Sequence, residues 1–279
     1  LKKLRIIIAA VMVLFLLAGA TPDKNSSAVK VHIINVGQGD AILVQTGREN
    51  ILIDGGNKGK GKTVIAYLKK HKVRTLNAVV STHPDADHVG GLAAVIDEMN
   101  VKSVYAPRVT HTTIAYSNFL KAVKRNKLKI KVAKKGVTIP TAPHNVNMTF
   151  IAPVKDYHKN DLNNWSAVLK LQHGKKQFLF TGDIETKAEN DLVKAKLLNK
   201  VDVLKVSHHG AKEATTANFL AKTKPAYAAI SVGGKNRYGH PTGPTLKRLS
   251  KIGAKVYRTD KGGTIVFSSN GKKIKVTRK

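Results

Sequence analysis

The sequence predicts an α/β fold built as a four-layer sandwich, two sheets face to face with helices outside. Two observations predict it. Short apolar runs alternate with segments of helical period through both halves of the chain, and such alternation calls for layered packing. The polar clusters also fall where apolar runs stop: "ILI" ends at Asp54, "NAVVST" at His83, "FLFTG" at Asp183 and "VDVLKVS" at His208-His209. Active groups collect at strand ends because the sheet fixes their roots while the loops are free to vary.

The elements follow in order. "VKVHIINVGQGDAILVQT" offers two strands, about 29–36 and 40–46, around a turn containing Gly37 and Gly39, and "NILIDGG" is a third. "GKTVIAYLKKH" has helical period, with Val64, Ile65 and Leu68 on one face, and leads into the strand "LNAVVST". "HVGGLAAVIDEMN" is a helix beginning just after the histidine cluster, followed by the strand "KSVYAPR" and the helix "YSNFLKAVKRNK". Residues 129–180 read as strands, in "KIKVAKKG", "NMTFIAP", "SAVLKLQHG" and "KQFLFTG". Then come a helix in "AENDLVKAKLLNK", a strand in "VDVLKVSHHG", a helix in "TANFLAKTKP" and a strand in "YAAISVG". A last helix, "GPTLKRLSKIG", precedes the strands "KVYRTD", "GTIVFSS" and "KIKVTR".

The first 20 residues have the plan of a secretory signal peptide: Lys2, Lys3 and Arg5, an apolar run from Ile6 to Leu17, then Ala18-Gly19-Ala20. The competing reading is an uncleaved anchor. Residues 21–28 read as a short linker, and 29–279 as one domain. The expected location is outside the cell, with association at its surface. After residue 20 no apolar stretch approaches spanning length, so an integral membrane channel is not expected.

With 279 residues, 42% hydrophobic and 24% charged, the chain can bury a substantial core. It has no cysteine, which excludes disulfides and thiolate metal sites and leaves nitrogen and oxygen donors. The net charge of +32 favours a polyanionic partner such as nucleic acid, cell-wall polymer or membrane surface. A lysine-rich solvated surface is the plainer explanation of the same number. Oligomeric state is not readable.

"THPDADH" concentrates the chemistry. His83 and Asp85, two apart, point the same way from an extended segment, whereas the adjacent Asp87 and His88 do not, so one loop could serve two neighbouring metal positions. Asp183 is the natural bridging carboxylate between them. For single residues the alternatives are structural: Asp87 could cap the helix opening at His88, and Trp165 reads better as core than as a base-stacking group.

The ordered set "NVGQGDAILVQT", "ILIDGG", "STHPDADHVGGL", "NNWSAVLKL", "FLFTGD", "LKVSHHGA" and "NRYGHPTGPTLKRL" resembles the metallo-β-lactamase superfamily, and within it the secreted, competence-related ComEC-like branch. The resemblance runs from about residue 29 to the C-terminus. It implies the αββα metallo-β-lactamase fold and a two-metal site. Carried over, His83, Asp85, Asp87 and His88 match the His-x-His-x-Asp-His pattern with Asp85 in the second histidine's place, and Asp183 matches the bridging aspartate. The last ligand is His209, with His208 as the other candidate, and Asp54 orients the metal loop. The family's third-motif histidine has no counterpart; Asn163, Asn164 and Ser166 stand there instead, as supporting groups. His240 would lie beside the metals, binding phosphate or moving a proton, and is counted with Asp87 as catalytic.

Two divalent cations would supply hydroxide at neutral pH and clamp a leaving oxygen, which suits phosphodiester hydrolysis. The carboxylate of Asp85 hardens the site, so Zn²⁺ and Mn²⁺ are equally expected. Lys205 is a candidate for the substrate phosphate, or else an exposed strand lysine. The expected activity is a secreted metal-dependent phosphodiesterase or nuclease acting on DNA or another phosphodiester. Hydrolysis of a small ester, lactone, phosphorylcholine group or β-lactam is the alternative within the same chemistry, and non-catalytic binding of a polyanion is the alternative outside it.

Overall fold

The computed structural model describes residues 28–278; the expected signal peptide, and all but the last residue of the expected linker, lie outside the described residues. Two large sheets stack face to face. The first has eight strands in the order Ile274–Arg278, Ile265–Ser269, Val29–Ile33, Ile42–Gln45, Asn50–Ile53, Ala78–Val80, Val104–Ala106, Ile130–Val132. The second has seven, in the order Lys255–Arg258, Tyr227–Ile230, Val203–Lys205, Lys176–Phe180, Leu169–His173, Val146–Phe150, Thr138–Ile139.

Three apolar clusters separate four layers, so the αββα reading holds. Between the sheets lie Val29, Val31 and Ile33 from one side and Phe150, Phe178 and Phe180 from the other. Outside the first sheet, Leu43, Leu52 and Val79 meet Val64, Leu68, Val95 and Phe119 of the helices Gly61–Lys70, Leu92–Glu98 and Ile114–Arg125. Outside the second, Leu179 and Leu204 meet Leu192, Phe219 and Leu249 of the helices Thr186–Lys194, Ala217–Thr223 and Gly243–Lys251.

The period of two in the strands produces this division. Ile51 and Ile53 face the inner layer while Leu52 faces the helices; Phe178 and Phe180 face inward while Leu179 faces out. Phe150, Phe178 and Phe267 are fully buried, each worth about 2–3 kcal/mol by burial alone. A one-residue slip would turn each strand inside out, which pins the register.

The parallel strands matter most for function. Asn50–Ile53, Ala78–Val80, Val104–Ala106 and Ile130–Val132 run parallel in the first sheet, as do Lys176–Phe180, Val203–Lys205, Tyr227–Ile230 and Lys255–Arg258 in the second. Asp54, His83, Asp183 and His209 all follow carboxyl ends of these strands, where α/β sheets place their ligands. Among the described residues no helix is long and apolar enough to cross a membrane.

Two local expectations are corrected. The helix expected just after the histidine cluster starts within it, as Ala86–Val89, and resumes as Leu92–Glu98. Its N-cap position is Asp85, not Asp87, with the Asp85 carbonyl accepting from His88 N and Val89 N. Thr75–Leu76 and Asn100–Val101 form a separate two-stranded sheet that the apolar pattern, only two residues long in each, does not announce.

Candidate metal centre

Asp87 and His88 ride on one helical turn, so adjacent residues converge where a strand would have sent them apart. His209 Nε2 lies 3.3 Å from Asp87 Oδ2, 3.3 Å from His88 Nε2 and 3.3 Å from Asp183 Oδ2. His88 Nε2 is 3.2 Å from Asp183 Oδ2. Four side chains from three loops thus meet at one point, and the extended-segment reading of Asp87 and His88 is replaced.

The other half of "THPDADH" forms a neighbouring group. Asp85 Oδ2 is 3.5 Å from His83 Nε2, so this carboxylate turns towards the cluster. The donor atoms of His83, His88 and Asp183 lie within 4.8 Å of one another, as do those of Asp87, His88 and His209. One imidazole nitrogen cannot serve two cations, whereas a carboxylate can. Asp183 is therefore the group able to join a set of His83 and Asp85 to a set of Asp87, His88 and His209.

Asp40, Asp54 and His88 also cluster, but their bonding assigns these carboxylates a supporting role. Asp54 Oδ1 accepts from Thr82 N at 2.8 Å, and its Oδ2 accepts from Thr82 Oγ1 at 2.7 Å and from His88 Nδ1 at 2.8 Å. That orients the His88 ring with Nε2 towards Asp183. Asp40 is fully buried and pairs with Lys205 Nζ at 2.8 Å.

The donors fit hard-to-borderline divalent cations. All are nitrogen or oxygen, and two of the buried atoms, His83 Nε2 and Asp183 Oδ1, have no hydrogen-bond partner. His209 Nδ1 donates to Ser231 O at 2.8 Å, leaving Nε2 for a metal. Without a cation the charges satisfy one another. Burial alone would lower His88 and His209, but Asp183 and its neighbours outweigh it, holding His88 well above the usual histidine value and pushing His209 up to about 10. Burial would raise Asp183, yet His209 and His88 hold it well below the usual carboxylate range; His88 and His209 do the same for Asp87. Asp85 is also lowered, by His83 against the opposing effect of burial.

His208, the other candidate for the last ligand, stands aside. Its Nε2 is 3.9 Å from Asp183 Oδ2, while Nδ1 is 3.1 Å from Glu185 Oε1. The backbone decides between the two histidines: His208 and His209 both take left-handed conformations, φ 47° and 52°, and this tight turn sends only the second ring inward.

Lys205 corrects both of its sequence readings, since it is neither exposed nor within reach of substrate. It shares the inner face of its strand with Val203, is fully buried, and donates to Asp40 and to Val206 O. Ser166, in the place of the third-motif histidine, lies 3.4 Å from His83 Nδ1 through Oγ and accepts from Asp183 N at 3.0 Å. Asn163 donates to Glu185 Oε1 at 2.8 Å, and Asn164 Oδ1 accepts from Glu185 N and Ala188 N, capping the helix that follows Asp183. Trp165 is core.

His240 sits at the edge of the cluster, its ring 5.5 Å from that of His208. Burial and then the nearby His208 and His209 lower its pKa, and Nδ1 has no hydrogen-bond partner. A neutral imidazole there can exchange a hydrogen bond with an incoming oxygen. Hollows of about 350 and 490 Å³ open beside the loop after Val104–Ala106, with Arg108, His111 and Lys159 in their walls.

Asp40, Glu185 and Thr82 were missed by sequence reasoning. Asp40 had a signal: it closes the "GQGD" turn, where Gly39 has φ +120° and a Cβ would come within 2.1 Å of Asp87 O. Gly91 likewise has no room for a Cβ, which would stand 2.0 Å from Gly55 O. These contacts press the Asp40 and Asp54 loops onto the helix carrying Asp87 and His88.

Residues 34–234 match the family model described as the metallo-beta-lactamase superfamily. The chain is 30% identical over 263 residues to ComE operon protein 3 of Bacillus subtilis, covering 87% of this chain and 33% of that protein. It is 31% identical over 263 residues to the competence protein ComA of Neisseria gonorrhoeae, covering 93% and 34% respectively. It thus spans about a third of the length of these curated relatives. Among solved structures it is similar in fold to the metallo-beta-lactamase fold protein YhfI of Bacillus subtilis, with TM-score 0.59, 11% identity, and 87% and 100% of the two chains covered. A diphosphatase of the PhnP family gives TM-score 0.51 at 14% identity, with 86% and 98% covered.

Proposed function

The chain belongs to the metallo-β-lactamase superfamily, and from that premise we propose that it is a metal-dependent phosphodiesterase acting outside the cell on DNA or a comparable phosphodiester. The observation that carries this reading is the position of Asp183, whose Oδ2 touches His88 Nε2 at 3.2 Å and His209 Nε2 at 3.3 Å while its Oδ1 is buried without a partner. A carboxylate so placed suits a pair of cations. His83, Asp85 and Asp183 would hold one; Asp87, His88, His209 and Asp183 would hold the other. Zn²⁺ and Mn²⁺ both match these donors: the imidazoles favour zinc, and the oxygen-rich first set favours manganese. Bound there, such a pair lowers the pKa of water towards neutrality and polarises a phosphoryl oxygen.

The protein's own groups do the rest. Asp54 and Ser231 O accept hydrogen bonds from the Nδ1–H groups of His88 and His209, fixing both rings with Nε2 inward. Asp40, held by Lys205, adds a carboxylate 3.5 Å from His209 Nδ1 and steadies that ring. His240 offers a neutral imidazole that can hydrogen-bond a phosphate oxygen. The excess of 49 Lys and Arg over 17 Asp and Glu raises encounter with a polyanion. The signal-peptide plan of residues 1–20 and the similarity to competence proteins support a location outside the membrane.

The test is cleavage of a labelled oligonucleotide, beside bis(p-nitrophenyl) phosphate and small esters. Activity should vanish with EDTA, return with Mn²⁺ or Zn²⁺, and be lost in Asp183→Ala. DNA binding that ignores EDTA, with no cleavage under any metal, would overturn the assignment, as would turnover of carboxylic esters alone.

A further inference from the structure

Tyr238 is one of three large hydrophobic side chains exposed among the described residues, and it is 52% exposed. Its ring stacks on His240, with centroids 5.7 Å apart and planes 25° from parallel. His240 in turn lies edge-on to His208, at 5.5 Å, and His208 lies edge-on to His209, at 6.2 Å. A ladder of rings therefore leads from solvent to the metal centre. The Arg237 guanidinium lies over the Tyr238 ring, 5.0 Å from its centroid, and donates to Tyr238 Oη at 2.9 Å.

The loop under these side chains is built rather than loose. Asn236 Oδ1 accepts from Tyr238 N at 3.2 Å and from His240 N at 3.0 Å, while Asn236 Nδ2 donates to Gly233 O and His240 O. One side chain thereby fixes the backbone that carries both rings. Half of the Tyr238 ring nonetheless remains open to solvent, on a backbone that is fixed.

We propose that Tyr238, stacked on His240, is a base-stacking platform that holds a nucleobase next to the scissile phosphate. It selects nucleic acid over phosphodiester polymers without bases. The proposal rests on the phosphodiesterase reading for its substrate and deepens it. A base takes the place Arg237 occupies over the ring, and the solvated guanidinium moves to a neighbouring backbone phosphate. Stacking of this kind is indifferent to sequence, because every base presents a π-face. A flexible single strand can lay a base flat on the ring, whereas a duplex must first unstack one, so single strands are preferred.

The test compares binding of a fluorescein-labelled oligodeoxythymidylate with a strand of the same length built from abasic sites. Fluorescence anisotropy is read in EDTA, and cleavage is followed separately with Mn²⁺. The wild-type protein should bind the thymidine strand at least about 5-fold more tightly, the lower end of the cost of losing one base–aromatic stack. Tyr238→Ala should abolish that difference, Tyr238→Trp should retain it, and Leu120→Ala, exposed on the helix Ile114–Arg125, should leave it unchanged. Equal affinity of the wild-type protein for both strands, or an unchanged preference in Tyr238→Ala, overturns the platform. Tyr238-dependent preference without cleavage under any metal leaves the platform standing and removes the phosphodiesterase reading instead.

Discussion

Lys205 Nζ and Asp40 Oδ2 are 2.8 Å apart inside the protein, Lys205 on a strand of the second sheet and Asp40 in the loop that joins Val29–Ile33 to Ile42–Gln45 of the first. This ion pair closes the layer between the sheets just beneath His209, whose Nδ1 is 3.5 Å from Asp40 Oδ1. Two charges buried together are tolerable, but one alone is not. Lys205→Met should therefore lower stability by about 3–5 kcal/mol in chemical denaturation, by stranding a buried carboxylate. The double variant Lys205→Met with Asp40→Asn should recover much of that loss. An additive double variant would show that the two charges are not coupled.

Asp54→Asn replaces the acceptor of His88 Nδ1–H with an amide of nearly the same shape. The ring loses the charge that holds its orientation, so metal affinity should fall about 10–100-fold. Competition against a fluorescent chelator measures this directly. The fold should survive, because the amide oxygen can still accept from Thr82 N.

Asp85 distinguishes the two donor sets. Asp85→Ala should leave the set of Asp87, His88, His209 and Asp183 filled while weakening the other, so elemental analysis after dialysis should fall from two metals per chain towards one. Asp85→His adds a nitrogen donor and should shift the preference from manganese towards zinc. Equal metal content in Asp85→Ala and the wild type would remove Asp85 from the ligand set.

The pH dependence follows from the charges. In the metal-free protein His209, with a pKa of about 10, and His88 carry protons at neutral pH. A metal requires both rings neutral, so its uptake must release protons and its affinity must rise with pH. Calorimetry in two buffers of different ionisation heat should detect that release. For the metal-free fold the signs run both ways. The raised histidines stabilise fully below their ordinary value of 6.5 and lose that contribution as pH climbs towards about 10. The depressed Asp183 and Asp87 stabilise above their ordinary 3.8 and lose that contribution as pH falls. The metal-free protein should accordingly melt highest between about pH 4 and 6.5, and bound metal should widen that range upward.

Much of this architecture was legible in the chain because periodicity is local. Val29, Val31 and Ile33 state a strand and its inner face without reference to anything distant, and Val64 and Leu68 state a helical stripe. The candidate ligands were legible for a related reason: His83, Asp183 and His209 each stand where an apolar run ends, and the turn chemistry there is written in the neighbouring residues.

Tertiary structure decided the rest. Whether Asp87 and His88 diverge or converge depends on where a helix begins, and the close approach of Gly39 to Asp87 O and of Gly91 to Gly55 O accompanies a start at Ala86, inside the motif. Choosing between His208 and His209 required the two left-handed residues at that turn. Lys205 looked like a surface cation until its strand was set against the opposite layer, whose loop between Val29–Ile33 and Ile42–Gln45 carries Asp40, 165 positions away in sequence. Sequence alone determined which residues could bind a metal and near which strand ends they lie. Their pairing was left to the packing of the two sheets, because a buried charge is tolerated only beside a partner, and that partner came from a remote part of the chain.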